Sequence, residues 1–303
     1  MKIKSGFLSL SPGKIYYRIA GEEEPQTPSA GPLREGTKAT PLLCLHGGPG
    51  GSWDYLEPLQ ELSDERAVIF YDQLGSGRSS RPRSSALYTV DYFVEELAEI
   101  IGQLKLKRFH LLGQSWGSML AVAYYLQHRP SGLSSLILSG PFLSAPRFAA
   151  DQRGLLARLS EKTRTAIMEA EARRKFDTPL YREAMDEFYR HYLCRMDPWP
   201  QPLLQTFKRM GAKVYQKLWG PSEFTATGIL KDTDYTPRLG EIEVPTLFTA
   251  GEFDEATPET AAYYQSLIKG SKLKVLENTS HSHHLEAQSE FLSAVRDFLH
   301  KVE

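Results

Sequence analysis

The chain has 303 residues, 41% of them hydrophobic and 24% charged, with a formal net charge of −1. At about 150 residues per domain, that length suits one large domain or a core carrying an insertion, with enough apolar content for a sizeable core. The balanced charge argues against a nucleic-acid backbone or an anionic membrane surface as partner, and no apolar run is long enough to span a bilayer. The segment MKIKSGFLSLSPGKIYY lacks the apolar stretch and cleavage site of a secretory signal. Cys44 and Cys194, the only cysteines, fit reduced buried thiols better than a disulfide framework, so a cytoplasmic location is expected.

In chain order the first β-rich runs are GFLSL and KIYYRIA, which Ser11-Pro12-Gly13 would join as an antiparallel hairpin. The next stretch, GEEEPQTPSAGPLREGTKAT, is rich in Gly, Pro and charge and reads as a mobile surface loop. Six further runs follow: PLLCLHG, AVIFYDQ, FHLLGQS, LSSLILSG, PTLFTAG and LKVLEN. Helical patterns alternate with them in SWDYLEPLQEL, TVDYFVEELAEIIGQL, WGSMLAVAYYLQHR and EAQSEFLSAVRDFLHKV. In the second of these, Phe93, Leu97, Ile100, Ile101 and Leu104 recur at three and four, giving one apolar face. Such alternation predicts an α/β fold with a mostly parallel sheet flanked by helices. From about Ser144 to Pro237 it breaks into charged, aromatic, helix-like sequence without a convincing buried strand. The predicted division is a core of residues 1–143 and 237–303 and a helical cap of 144–236. A cap inserted there lies over the C-terminal ends of the strands, where open α/β sheets bind ligands.

GQSWG at 113–117 follows a strand directly and opens a helix. A strand-to-helix turn this sharp strains the residue at its tip and projects its side chain from the sheet edge, which makes Ser115 a candidate nucleophile. LHGGPGGSW at 45–53 also follows a strand. Glycine backbone amides there suit a developing oxyanion, with Gly48 N–H as one donor and Trp116 N–H as the other. No Gly-Lys-Ser/Thr follows, so a phosphate cradle fits poorly. Asp72 and Gly75-Ser76-Gly77, at the end of another strand, read as a structural turn tied by Asp72 and Arg78.

A serine hydroxyl needs a base, and the base an orienting carboxylate. Asp254 follows PTLFTAG, and TSHSHHLE, with His281, His283 and His284, follows LKVLEN. The order serine, acid, histidine suits a hydrolase sheet, and His281 comes first after its strand, but spacing alone leaves the three imidazoles in competition. A metal reading of this cluster lacks a second Cys/His group, so neither metal nor cofactor is expected.

Taken together, HGGPGGSW, FYDQLGSGRSS, LLGQSWGSMLAVAYYLQHRP, GPSEFTATGILKDTD, AGEFDEATP and TSHSHHLE resemble the proline iminopeptidases and related tricorn-interacting aminopeptidases, serine peptidases of the α/β-hydrolase fold. The resemblance runs from about residue 40 to the C-terminus. It implies a triad of Ser115, Asp254 and His281, the histidine being the one followed five positions later by a glutamate, Glu286. It implies oxyanion donors at Gly48 and Trp116, amine-binding acids at Glu223 and Glu255, and a pocket tyrosine at Tyr215. The implied substrate is a short peptide that loses its N-terminal residue, proline or a small apolar one; an amino-acid amidase, esterase, lactonase or non-catalytic binding protein on the same scaffold are the alternatives. Two departures stand out. HHLE replaces the bulky apolar or aromatic residue that many relatives carry before the glutamate, implying a more polar pocket wall, and the loop at 21–40 is longer than usual.

Overall fold

The computed structural model describes residues 2–21 and 39–303. Most of the loop expected at 21–40 therefore lies outside the described residues. The backbone forms one eight-stranded sheet in the order β1-β2-β4-β3-β5-β6-β7-β8. β1 (Ile3–Leu10) and β2 (Gly13–Ala20) form the expected hairpin, and β2 pairs antiparallel with β4 (Arg66–Tyr71). From β3 (Ala39–Leu45) onward the ladder is parallel, through β5 (Phe109–Gln114), β6 (Leu133–Ser139), β7 (Thr246–Gly251) and β8 (Lys272–Leu276). β4, β5 and β7 are buried along their whole length, as continuous apolar strands covered on both faces must be.

Helices cover both faces. α1 (Val90–Gln103) begins at Thr89, whose side chain accepts from Tyr92 N–H, a cap worth about 1 kcal/mol. Its stripe of Phe93, Leu97, Ile100 and Ile101 is buried, and each such side chain contributes roughly 1.5–3 kcal/mol by leaving water. α2 (Trp116–His128) lies against β5 and is buried almost throughout. SWDYLEPLQEL forms a 3-10 helix over Trp53–Asp64, with Pro58 inside it. On the C-terminal side lie α8 (Pro258–Leu267), α9 (His283–Glu286) and α10 (Gln288–Val302). The sequence patterns missed α8 and α9, whereas EAQSEFLSAVRDFLHKV anticipated α10.

Between β6 and β7 the described chain forms α3 (Ala145–Leu156), α4 (Glu161–Arg173), α5 (Pro179–Tyr192), α6 (Gln201–Lys208) and α7 (Ala212–Leu218). The long helix-like run at 151–176 is broken before Glu161, where Ser160 caps α4. Leu155, Ile167, Met185 and Phe188 belong to an apolar cluster separate from those that bury the sheet. Backbone bonds tie this helical region to the core: Gly211 N–H donates to Gly50 O at 2.7 Å, and Tyr192 O accepts from His281 N–H at 3.0 Å. Cys44 and Cys194 are free and buried, and burial pushes the Cys194 thiol up to about 12. Among the described residues no helix is long and apolar enough to cross a membrane.

Candidate active site

Ser115 stands between β5 and α2 with φ 54° and ψ −122°, a backbone conformation costing on the order of 1–3 kcal/mol that persists only where the surroundings impose it. The surroundings do. Ser115 N–H donates to Ser139 O of β6 at 2.9 Å, and its carbonyl accepts from Ser118 N–H and Ser118 Oγ. The flanking glycines are steric requirements: a Cβ at Gly113 would stand 2.2 Å from Gly117 O, and one at Gly117 would stand 2.3 Å from Leu45 O. Strand, elbow and helix close on each other only without side chains there.

Gly48 adopts φ +120° in the loop after β3, where a Cβ would meet the amides of Gly50 and Gly51. Gly51 N–H donates to Gly47 O, and Gly47 N–H donates to Tyr55 Oη at 2.7 Å, so the loop is held from both sides. Trp116 buries its indole, whose N–H donates to Gln73 Oε1 at 2.8 Å. Its backbone amide is the first of α2, where helix N–H groups lack intrahelical acceptors.

Asp254, just past β7, is buried and surrounded by donors: Ala256 N–H and His281 Nδ1–H on Oδ1, the latter at 2.6 Å, and Gly251 N–H on Oδ2. Burial opposes its charge, but the His281 and His283 rings outweigh that and hold the carboxyl well below the usual range. His281 is fixed through its backbone on Tyr192 O. Glu286 steadies the same loop by accepting from Ser280 N–H at 2.8 Å and from Arg195 N–H at 2.9 Å. At His281 Nε2, Gln114 Nε2 approaches to 3.0 Å and Glu255 Oε1 to 3.7 Å. Burial by itself would lower this imidazole; Asp254, Glu255 and Glu223 lift it to about 9. Among the described residues Ser115 Oγ makes no hydrogen bond to His281; bonds of this kind often tighten only with substrate in place.

Ser115, His281, Gly48 and Glu255 open into one cavity of about 610 Å³, roofed by α5, α7 and the segment after α7. Its apolar wall includes Phe142, Phe148 and Trp219, packed edge to face with centroids 5.1–5.6 Å apart. Glu223 reaches the cavity from the segment after α7 and accepts from Tyr215 Oη at 3.0 Å and Tyr189 Oη at 3.4 Å. Burial raises Glu223, partly offset by those phenols and His281. Burial and the neighbouring Glu223 raise Glu255 far more, and among the described residues its buried Oε2 has no hydrogen-bond partner.

The profile of the alpha/beta hydrolase fold family matches residues 40–288. A proline iminopeptidase from Heyndrickxia coagulans is 44% identical over 266 residues, covering 87% of this chain and 91% of that protein. Among solved structures, a proline iminopeptidase from Mycobacterium smegmatis superposes with a TM-score of 0.88 at 34% identity, covering 99% of this chain and 98% of that one. VinJ superposes with a TM-score of 0.91 at 33% identity, covering 99% of both. The chain belongs to the proline iminopeptidase family.

Against that family background, the three histidines part company. His281 faces Asp254, His283 lies between Ser139 and Thr249 beneath the acid, and His284 Nε2 meets Tyr55 O at 3.1 Å. The more polar wall expected from HHLE does not form: His284 and Leu285 turn away from the cavity into the core. The turn at Asp72 is structural, with Asp72 accepting from Trp53 N–H and Arg78 N–H and Ser76 Oγ donating to Gln73 O. Sequence reasoning missed Tyr189 and the Tyr55–Gln114 pair. The phenol of Tyr55 accepts from Gly47, so it donates to Gln114 Oε1, which leaves the Gln114 amide N–H for His281. Gln114 could have been suspected from its place beside the serine; Tyr189, on α5, carried no signal.

Proposed function

We propose that this protein is a serine aminopeptidase that releases N-terminal residues, proline foremost, from short peptides. Ser115 attacks the first carbonyl while His281 Nε2 takes its proton, and Asp254 holds the imidazole through Nδ1. The oxyanion is received by the amides of Gly48 and Trp116. His281 then protonates the departing amine, and water, activated by the same imidazole, hydrolyses the aminoacyl ester and frees Ser115. Glu223 and Glu255 take the substrate's ammonium. A prolyl N-terminus is a secondary ammonium with two N–H bonds, one for each carboxylate, and the Phe142–Phe148–Trp219 wall suits its ring.

The observation that carries this reading is His281, held by Asp254 at 2.6 Å, sharing one cavity with Ser115 and two carboxylates, one of which has a buried oxygen unpartnered among the described residues. An ammonium near 4 Å from such a carboxylate gains roughly 4 kcal/mol at an effective dielectric of about 20, before desolvation. The same charge acts on the base. In the free enzyme the surrounding carboxylates favour the protonated ring and lift it to about 9, against the Gln114 amide N–H, which needs a lone pair on Nε2. A bound ammonium offsets their field and returns the ring to its basic form, so a substrate with a free amine prepares its own catalyst. An esterase or lactonase working on uncharged acyl groups would have no use for the acids.

Release of naphthylamine from prolyl and alanyl β-naphthylamides, compared with their N-acetylated forms, tests this. The free amines are expected to turn over at least about 100-fold faster, the share of the ion-pair energy that survives desolvation. Equal turnover of blocked and free substrates would overturn amine recognition.

A further inference from the structure

His283 is fully buried directly behind the Asp254 carboxylate, and the steps above give it no part. Its Nδ1 faces two acceptors, Ser280 O at 3.2 Å and Asp254 Oδ2 at 3.5 Å. Its Nε2 faces two hydroxyls, Ser139 Oγ of β6 at 2.9 Å and Thr249 Oγ1 of β7 at 3.0 Å. A nitrogen facing only acceptors must carry the proton, while one facing hydroxyls can accept from them. The surroundings therefore place a proton on Nδ1, facing the acid. The titratable groups around the ring are Asp254 from the loop after β7 and His281 and His284 from its own segment. α10 contributes Phe291, edge on at 5.5 Å.

We propose that His283 is a positioning residue for the reaction: its Nδ1–H supports Asp254 from behind, on Oδ2, so that Oδ1 stays ionised and aimed at His281. Two strands hold the ring by its far nitrogen, so it acts as a rigid strut between the sheet and the acid. Asp254 Oδ1 is then left to His281 and Ala256 N–H, while Oδ2 is held by Gly251 N–H and His283. The inference rests on Asp254 being the orienting acid.

The test is steady-state kinetics on prolyl β-naphthylamide across pH, with active sites counted by a fluorophosphonate probe. His283→Gln keeps a polar group near Nε2 but loses the Nδ1 donor. Its kcat should fall about tenfold, the worth of one lost hydrogen bond, with KM unchanged. Losing a donor on Oδ2 makes the carboxylate a stronger acceptor for the imidazolium proton, so the acid limb of kcat/KM should move to higher pH. His283→Asn, whose amide nitrogen occupies the place of Nδ1, should restore most of the rate and the original limb. A purely structural role would lower the melting temperature and leave the limb in place. Wild-type kcat and limb in His283→Gln, or an Asn variant as impaired as the Gln variant, would overturn the proposal. Should His283→Gln fail to fold, Thr249→Val removes a hydroxyl that orients the ring and should shift the limb the same way; an unmoved limb would again overturn it. Asp254→Asn separates the two claims: full activity there would sink the triad itself, whereas full activity in His283→Gln alone sinks only the strut.

Discussion

The floor and the roof of the cavity are built by different means. The floor is the C-terminal edge of β3, β5, β7 and β8, where Gly48, Ser115, Asp254 and His281 hang from short turns held by backbone bonds. The roof is helical, and it reaches the site through long side chains: Tyr189 from α5, Tyr215 from α7, and Glu223 beyond it. Backbone-fixed groups give the accuracy bond-making needs, while side chains on packed helices can change identity without disturbing the sheet. Floor residues should therefore set whether chemistry happens, and roof residues on which substrate. The two halves are nevertheless stitched together, because Tyr192 O at the end of α5 accepts from both His281 and Glu255 amides.

The largest effect expected is on the floor. Ser115→Ala should lower kcat by at least about 10⁴-fold on every substrate, amine-bearing or not. A variant that lost only the peptide substrates would show that Ser115 is not the common nucleophile. Next comes the roof. Glu223→Gln should cost roughly 100- to 1,000-fold in kcat/KM on prolyl naphthylamide, while turnover of an ester without an amine stays nearly constant. Equal losses on both would erase the division of labour.

The third effect joins floor to roof through charge. In the proposed role of base His281 must be neutral, and its neighbours raise it to about 9 in the free enzyme. The rate constant kcat/KM should therefore climb with pH through an acid limb near 9, with the kcat limb lower because bound ammonium offsets the acids. Glu223→Gln removes one of the carboxylates that raise the ring, so its kcat/KM limb should fall. A limb in the ordinary histidine range near 6.5 for both proteins would break the link.

The smallest effect lies under the floor. Glu96 of α1 is buried and accepts from Leu74 N–H beside the Asp72 turn; burial, partly offset by that bond, lifts it from 4.5 to about 8. A carboxyl with a raised folded value binds its proton more tightly in the native state. Its contribution is complete below about 4.5 and is lost as pH rises towards 8. In urea titrations Glu96→Gln should thus hold its midpoint between pH 5 and 9 while the wild type declines, with catalysis unchanged. Parallel declines would remove Glu96 as the cause.

Much of this was readable beforehand because some physical demands leave a local mark. The alternation of apolar runs and amphipathic stretches follows from the periods of strands and helices, and Gly113 is imposed by Gly117 one turn later, while Gly117 is imposed by Leu45 O at the end of the neighbouring strand. The elbow, the glycine loop and the parallel sheet were legible for that reason. Choosing among His281, His283 and His284 needed the family resemblance, since three imidazoles within four positions satisfy the same spacing. The amine acids likewise rested on resemblance alone, because a surface glutamate and a buried one look identical in a string of letters.

Chain order and local periodicity determined the sheet, the site of the strained serine and the edge on which the chemistry gathers, since each depends on neighbours within one or two turns of backbone. Only the tertiary structure decided that Tyr189 meets Glu223, that Gln114 reaches His281, that His284 turns into the core and that His283 stands behind Asp254. Those contacts join residues that different elements bring together, and the choice is made by packing and by where each buried polar group finds a partner.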